Sequence, residues 1–288
     1  MFVSSNDTLL LISIDSGLCS PQMNDDLKLA KKSSEPEGPV YSAPALEKGL
    51  DILELLCKSE IPLSQKEIGQ QLGRSTSELY RMITSLMERG YIFSVDDRFH
   101  ITTKLFELAH INPPTHRLLT EAMPVMQKLS TDIDQACHLT VYSLGRQIVV
   151  SKVDAPSGMG FSVRVGAELD VLVSASGRVL LAFQDEETRQ ARIEESLSRR
   201  PEQADPQIGA TLDMVKARGF ESIPSVQVRG LYAVSYPILV SQGYAIAALT
   251  VPYAERIDRP DRKSVAMVEA VLGTTAQALC RRMGGGSL

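Results

Sequence analysis

Tryptophan is absent from this 288-residue sequence, aromatic residues make up only 5% of it, and cysteine occurs four times. The cysteines, Cys19, Cys57, Cys137 and Cys280, are scattered without a Cys-x-x-Cys pair. That argues against a disulfide scaffold and a zinc ribbon, and leaves buried or incidental thiols of a reducing compartment. Also missing is any apolar run near the roughly 20 residues a membrane-spanning helix requires, so a cytoplasmic protein with no membrane partner is expected. The patch Leu9 to Ile14 has no Lys or Arg before it and is flanked by Asp7 and Asp15, which is not the pattern of a secretory signal. A loose tail, or a translation start at Met23, is the expectation for this stretch.

An excess of positive charge is lacking too: 30 Lys and Arg stand against 35 Asp and Glu, a net of −5, so the balance does not advertise nucleic-acid binding. No Gly-x-Ser-x-Gly elbow, Walker loop or His-Glu-x-x-His is present, and Gly158-Met159-Gly160 lacks the third glycine of a dinucleotide loop. The four histidines, His100, His110, His116 and His138, have no metal-ligand spacing and are expected at the surface or as satisfied core residues. No cofactor, no metal and no enzymatic activity are expected, although a triad assembled only in space leaves no linear trace.

What is present is ordinary globular material, 43% hydrophobic and 23% charged, long enough for one small and one medium domain. Residues 1–43 are expected to form a disordered arm, because Asn24 to Ala43 is too polar to offset the entropy of ordering. Periodicity begins after Pro44, where Leu46, Leu50, Leu53 and Leu56 predict one apolar helical face. Ser64 with Glu67 opens a second helix ending at Gly73, and the same capping-box spacing, Ser75 with Glu78, opens a third that Gly90 stops. Tyr91 to Val95 and Arg98 to Ile101 predict a two-stranded wing whose Asp96-Asp97 turn lacks the favoured glycine. Thr102 or Thr103 can cap a connecting helix, terminated by Pro113 and Pro114.

Two short helices joined by a tight turn, the second starting with small hydroxyl residues, match what a helix-turn-helix needs: a tip that sinks into the major groove and donates amides to phosphate. With Leu79, Met82, Ile83 and Leu86 facing the core, Ser75, Thr76, Ser77, Tyr80, Arg81 and Thr84 are left for DNA, Arg81 as the candidate for two bonds to guanine. Arg74 and Arg98 are candidate phosphate contacts. A plain helical hairpin with a solvated face fits the same periodicity. Between Pro44 and His110, eight Lys and Arg face ten Asp and Glu, a net of −2, so operator-grade affinity calls for dimerisation.

Beyond the prolines, Leu118 to Leu129 predicts a helix in which Pro124 makes a kink or a restart. Strands are expected at His138 to Ser143, Ile148 to Val153, Phe161 to Val165, Tyr232 to Leu239 and Tyr244 to Val251. Helices are expected at Ser174 to Phe183, Glu187 to Leu197, Ile208 to Arg218 and about Arg262 to Arg282. This interleaving points to an α+β domain on an antiparallel sheet.

These stretches, in order, resemble the IclR (isocitrate lyase regulator) family of bacterial transcriptional regulators. The resemblance rests on Ala45 to Leu53, Ser75-Thr76 with Tyr80-Arg81 and Leu86, and Gly90-Tyr91-Ile92. It continues through Arg164-Val165-Gly166, Ser174 to Arg178, Arg218-Gly219-Phe220, Gly230, Pro237 and Ala247-Ala248-Leu249. It implies two domains: a mostly α winged helix-turn-helix (44–102) and, after a linker helix (103–114), an α+β GAF-like effector-binding domain with an antiparallel sheet (115–283), before a flexible tail (284–288). It further implies a homodimer or dimer of dimers on palindromic double-stranded operator DNA, and a small organic or aromatic acid as effector. The family's pocket maps onto Phe161, Leu169, the Ala175 and Ser176 amides, Ile223, Leu231, Ala233 and Thr250.

The residues support part of that map: Ser174 to Gly177 starts a helix whose first amides can bind an anion, and the Thr250 hydroxyl can bond a carboxylate. An ordinary helix cap and a sheet residue facing water account for the same residues. Asp170 and Leu172 stand where relatives often have Pro and His or Tyr, and Ile223 and Pro252 where some have Asp and Ser. This pocket therefore suits a bulkier or more apolar effector. Arg164 is assigned to solvent or an interface. The effector is expected to repack a sheet edge around Leu231 to Pro237 and so change the angle of the linker helix. Two rival functions stay open: a protein-interaction module with a winged helix that no longer binds DNA, kept alive by the acidic balance, and an enzyme that processes a small acid.

Overall fold

The computed structural model describes residues 43–158, 160–255 and 264–285. The expected arm up to residue 42, Met159, the first residues of the last predicted helix and the end of the tail lie outside the described residues.

The N-terminal unit runs α1 (Pro44–Lys58), β1 (Leu63–Ser64), α2 (Gln65–Leu72), α3 (Thr76–Glu88), β2 (Ile92–Val95) and β3 (Arg98–Ile101). Pro44 sits in the first turn of α1, where its missing N–H costs no hydrogen bond. Both capping boxes form: the Ser64 hydroxyl accepts from the Glu67 amide while the Ser64 amide donates to the Glu67 carboxylate, and Ser75 and Glu78 do the same. Gly73 closes α2 in the left-handed region, at φ 63°. The helices pack around Ile52, Ile68, Leu79, Ile83 and Ile92. The apolar face predicted for α1 divides, because Leu56 is buried with Ile52 whereas Leu46 and Leu50 stay exposed. At the wing tip Asp96 and Asp97 take φ of 51° and 58°, the two left-handed residues of a type I′ hairpin turn. Aspartate tolerates that region, so the turn forms without glycine. The small sheet has the order β1-β3-β2.

α4 (Lys104–Ile111) follows, and none of its residues is buried. Its first amide, on Lys104, bonds the Thr102 hydroxyl. The two prolines end α4 and also begin α5 (Pro113–Ile133), with Pro113 as its first residue. Pro124 lies within α5 without ending it. Both Pro124 and Thr120, four residues earlier, face solvent, where water can satisfy the carbonyl that proline leaves unbonded.

The second domain comprises β4 (Cys137–Ser143), β5 (Arg146–Val153), β6 (Glu168–Leu169), α6 (Ala175–Ala182), α7 (Glu186–Arg199), α8 (Ile208–Arg218), β7 (Glu221–Pro224), β8 (Leu231–Leu239), β9 (Ala245–Ala254) and α9 (Val265–Met283). One antiparallel sheet takes the order β6-β5-β4-β9-β8-β7. Alternation along β9 assigns its faces: Leu249, Val251 and Tyr253 pack with α5 and α9, while Ala248 packs with α6 and α8 on the other side.

Three expectations need correction. Phe161 to Val165 is not a strand; the ladder with β5 forms only at Glu168–Leu169, after Gly166 and Ala167 have bonded Val149. Its alternation arises because Phe161 and Val163 line a cavity, which imposes the same period as a sheet. β7 is not among the expected strands, since Glu221 and Ser222 look polar until Glu221 is seen buried, paired with Arg218 and Arg178. Its presence makes β8 an interior strand, so Leu231 to Pro237 is not a sheet edge.

Candidate DNA-binding and ligand-binding sites

α3 presents two faces. Leu79, Ile83 and Leu86 point into the core; Thr76, Ser77, Tyr80 and Arg81 are exposed, and Thr84 is partly so, its hydroxyl donating to the Tyr80 carbonyl at 3.0 Å. Tyr80 is 61% exposed, a large aromatic side chain presented to solvent. The Ser75 hydroxyl is engaged by Glu78 rather than free.

Acidity near this face is locally neutralised. Glu78 receives Lys48 Nζ at 2.9 Å, and that hydrogen bond, with those from Ser75, holds its carboxyl down at about 2. Asp51 is paired with Arg74 at 2.9 Å and Glu67 with Arg98 at 3.1 Å. Arg98 also donates to the Pro62 carbonyl at 2.7 Å. Arg74 and Arg98 thus brace the turn and the wing; pairing leaves the net of −2 unchanged, and both arginines are engaged by carboxylates. The Gln65 amide bonds the Thr76 carbonyl at 2.8 Å and ties α2 to the tip of α3.

In the second domain a cavity of about 150 Å³ opens on the sheet face that carries α6. All eight mapped residues line it. Ile223, Ala233 and Thr250 come from three adjacent strands, in which Ile223 pairs with Ala233 and the Thr250 hydroxyl meets Ser235 Oγ at 2.9 Å. Leu231 lies further along β8, and Phe161 and Leu169 close one side. Ala175 and Ser176 arrive at the start of α6, where Gly177 lies so close to Val171 that an added Cβ would overlap its carbonyl. The Ser174 hydroxyl accepts from the Gly177 amide at 3.1 Å and from the Gln147 amide at 2.6 Å. Helix geometry leaves the Ala175 and Ser176 amides as first-turn donors with no intrahelical acceptor. Thr250 lies within β9, which runs on past the predicted end at Val251 to Ala254. Asp170 latches the rim by receiving Gln227 at 3.0 Å and Arg200 at 2.9 Å.

Among the lining residues outside that map, one stands apart chemically. His138 on β4 is directly opposite Thr250 and only 4% exposed. Neither ring nitrogen has a partner among the described residues, and burial pushes the imidazole down to about 4, so it is neutral near pH 7. The expectation of a surface or satisfied-core role is wrong for this histidine. A usable signal existed: His138 and Thr140 are polar at alternate positions of an otherwise apolar strand, which puts both on one face. Of the cysteines, Cys137 and Cys280 are buried and Cys57 is exposed, all three free; Cys19 lies outside the described residues.

A winged helix-turn-helix followed by a domain with a lined internal cavity defines a class, the DNA-binding regulator with its own effector-binding domain. Residues 45–94 match the family described as IclR helix-turn-helix domain, and residues 114–281 the one described as Bacterial transcriptional regulator IclR C-terminal. The HTH-type transcriptional regulator KdgR of Dickeya chrysanthemi is 26% identical over 227 residues, 76% of this chain and 73% of that protein. Two solved structures share the fold. An IclR homolog from Microbacterium hydrocarbonoxydans, complexed with 4-hydroxybenzoate, has TM-score 0.68 at 21% identity, over 83% of this chain and 98% of that one. Pseudomonas aeruginosa HmgR has TM-score 0.65 at 23% identity, over 84% of this chain and all of that one (100%). The chain belongs to the IclR family of bacterial transcriptional regulators, and its role is regulation rather than catalysis. Among the described residues no helix is long and apolar enough to cross a membrane.

Proposed function

We propose that this regulator binds a palindromic operator through α3 and is switched by a small organic acid, aromatic in character, held in the cavity of the second domain. The observation that carries the DNA half is the exposed polar face of α3: Thr76, Ser77 and Tyr80 project from a helix braced behind by its apolar face, with Arg81 beside them. The effector half is supported by a cavity of about 150 Å³, the size of an engineered apolar cavity that takes up benzene. Its walls are mostly aliphatic, and the α6 amides offer a carboxylate its counterpart. The Microbacterium homolog, which shares the fold, is complexed with an aromatic acid.

The operating unit is a homodimer or a dimer of dimers. Phe106 and Ile111 on α4 are 64% and 72% exposed. Leu105 and Leu108 join Leu46, Leu50 and Leu53 around an apolar groove of about 620 Å³ between α1, α3 and α4. A linker helix with every apolar side chain in water is unstable alone, and a second copy supplies the missing face. Effector binding alters the packing between cavity and linker, and with it the spacing of the two recognition helices.

The test is fluorescence anisotropy on the DNA upstream of the chain's own gene, at low salt, with and without organic acids. Tight binding to that DNA over random sequence, changed by an acid that also raises the melting temperature, is the expected result. No preference for that DNA at any salt concentration would sink the operator reading.

A further inference from the structure

We propose that His138 is a specificity-determining residue of the cavity, one that reads a hydroxyl group on the ligand, so that the effector is a compact hydroxy-substituted aromatic acid. The inference rests on the reading of the cavity as the effector site and goes further by naming the second polar group the ligand must carry. A carboxylate is provided for at the start of α6, by the amides of Ala175 and Ser176. The rest of the lining is apolar apart from hydroxyls and amides that mostly have partners: Ser174 is held by Gln147 and Asp170, Thr250 by Ser235, and Gln227 by Asp170. His138 is the exception, a buried ring with two unpartnered nitrogens on the sheet floor. Buried polar atoms are nearly always hydrogen-bonded in folded proteins, so one that lines a cavity without a partner marks a place the ligand fills.

The chemistry of the ring narrows the ligand. A neutral imidazole offers one N–H donor and one bare nitrogen acceptor on different edges of the ring, and a hydroxyl, which both donates and accepts, pairs with whichever nitrogen it meets in either tautomer. A second carboxylate does not suit the site, because it would place a buried negative charge beside a ring that carries none. The charged residue paired with His138 across β4 and β5, Lys152, is tied to Asp154 at 2.8 Å. Phe161, Ile223 and Leu231 supply the flat apolar walls a ring requires.

The experiment titrates the full-length protein with benzoate, the three isomeric hydroxybenzoates and pyruvate, by calorimetry, in parallel with His138→Phe and His138→Gln. Wild type is expected to prefer one hydroxybenzoate over benzoate by roughly tenfold or more, the cost of leaving a buried polar group unmet. His138→Phe should erase that preference, read as the ratio of hydroxybenzoate to benzoate affinity within each protein, and His138→Gln should keep part of it. In ¹⁵N spectra of wild-type protein, one of the four histidine rings should shift with the preferred hydroxybenzoate and not with benzoate; this readout decides the matter even if the variants fail to fold. If acids bind without a hydroxyl preference, or His138→Phe retains it, the role of His138 is overturned and the cavity reading stands. Binding of pyruvate alone removes the aromatic class. No binding of any acid removes the cavity reading itself.

Discussion

At the tip of α3 the charged side chains have partners within reach, Glu78 with Lys48, Asp51 with Arg74 and Glu67 with Arg98, all near the surface. On the sheet floor of the second domain, His138 lines the cavity with two buried ring nitrogens that have no partner among the described residues. The contrast separates two ways of building a site. A surface that must fit DNA is held rigid by its own bonds and offers exposed groups whose hydration is lost only on contact. A cavity for a small molecule keeps polar atoms unmet in a low dielectric, where each is unfavourable until a ligand arrives, so occupancy changes the stability of the surrounding sheet.

Five experiments bear on that contrast, in descending order of expected effect. Gly177→Ala forces a methyl group into the Val171 carbonyl and should destabilise the second domain by on the order of 3 kcal/mol in urea melts, while the winged unit unfolds as before. A shared transition that shifts as a whole would show that the two regions are not independent. Next comes pH. His138 is held near 4 in the folded protein, below its ordinary 6.5, so between those values the unfolded chain takes up a proton that the folded chain refuses. Its contribution to stability is complete above 6.5 and declines as pH falls toward 4, by at most about 1.4 kcal/mol per pH unit. His138→Asn should flatten that slope relative to wild type; equal slopes in urea melts at pH 7, 5.5 and 4.5 would mean that the ring is not kept neutral.

On the DNA side, Arg81→Ala should weaken discrimination at a single base pair by about 1 to 3 kcal/mol in competition binding. Equal loss on specific and random DNA would demote Arg81 to a phosphate contact. A smaller effect is expected at Ser75, where alanine removes half a capping box and costs about 1 kcal/mol of stability. Ser77→Ala, outside the box proper, should leave the melting curve nearly unchanged and act only on DNA affinity.

Legibility in the sequence followed the range of the interaction. Ser64 with Glu67 and Ser75 with Glu78 announce their helix starts because both partners lie three residues apart, and Gly73 and Gly90 mark their ends because a left-handed residue is needed there. Phe161 to Val165 misled for the opposite reason: alternation records which side is apolar, not whether a strand lies alongside to bond it. β7 was hidden because Glu221 reads as an exposed polar residue, and only the fold buries it between Arg218 next to the strand and Arg178 on α6. The eight mapped pocket residues came from resemblance to the family, whereas His138 needed coordinates to be seen as unpartnered.

Local chemistry along the chain was enough to set the helix-turn-helix, its caps and its polar face, because each depends on residues within one or two turns of one another. Family resemblance added the order of the domains. Whether a buried histidine has a partner, whether an arginine is free or braced, and where a cavity lies between strands all depend on groups brought together from distant segments. Those facts are properties of packing, and only the tertiary structure decided them.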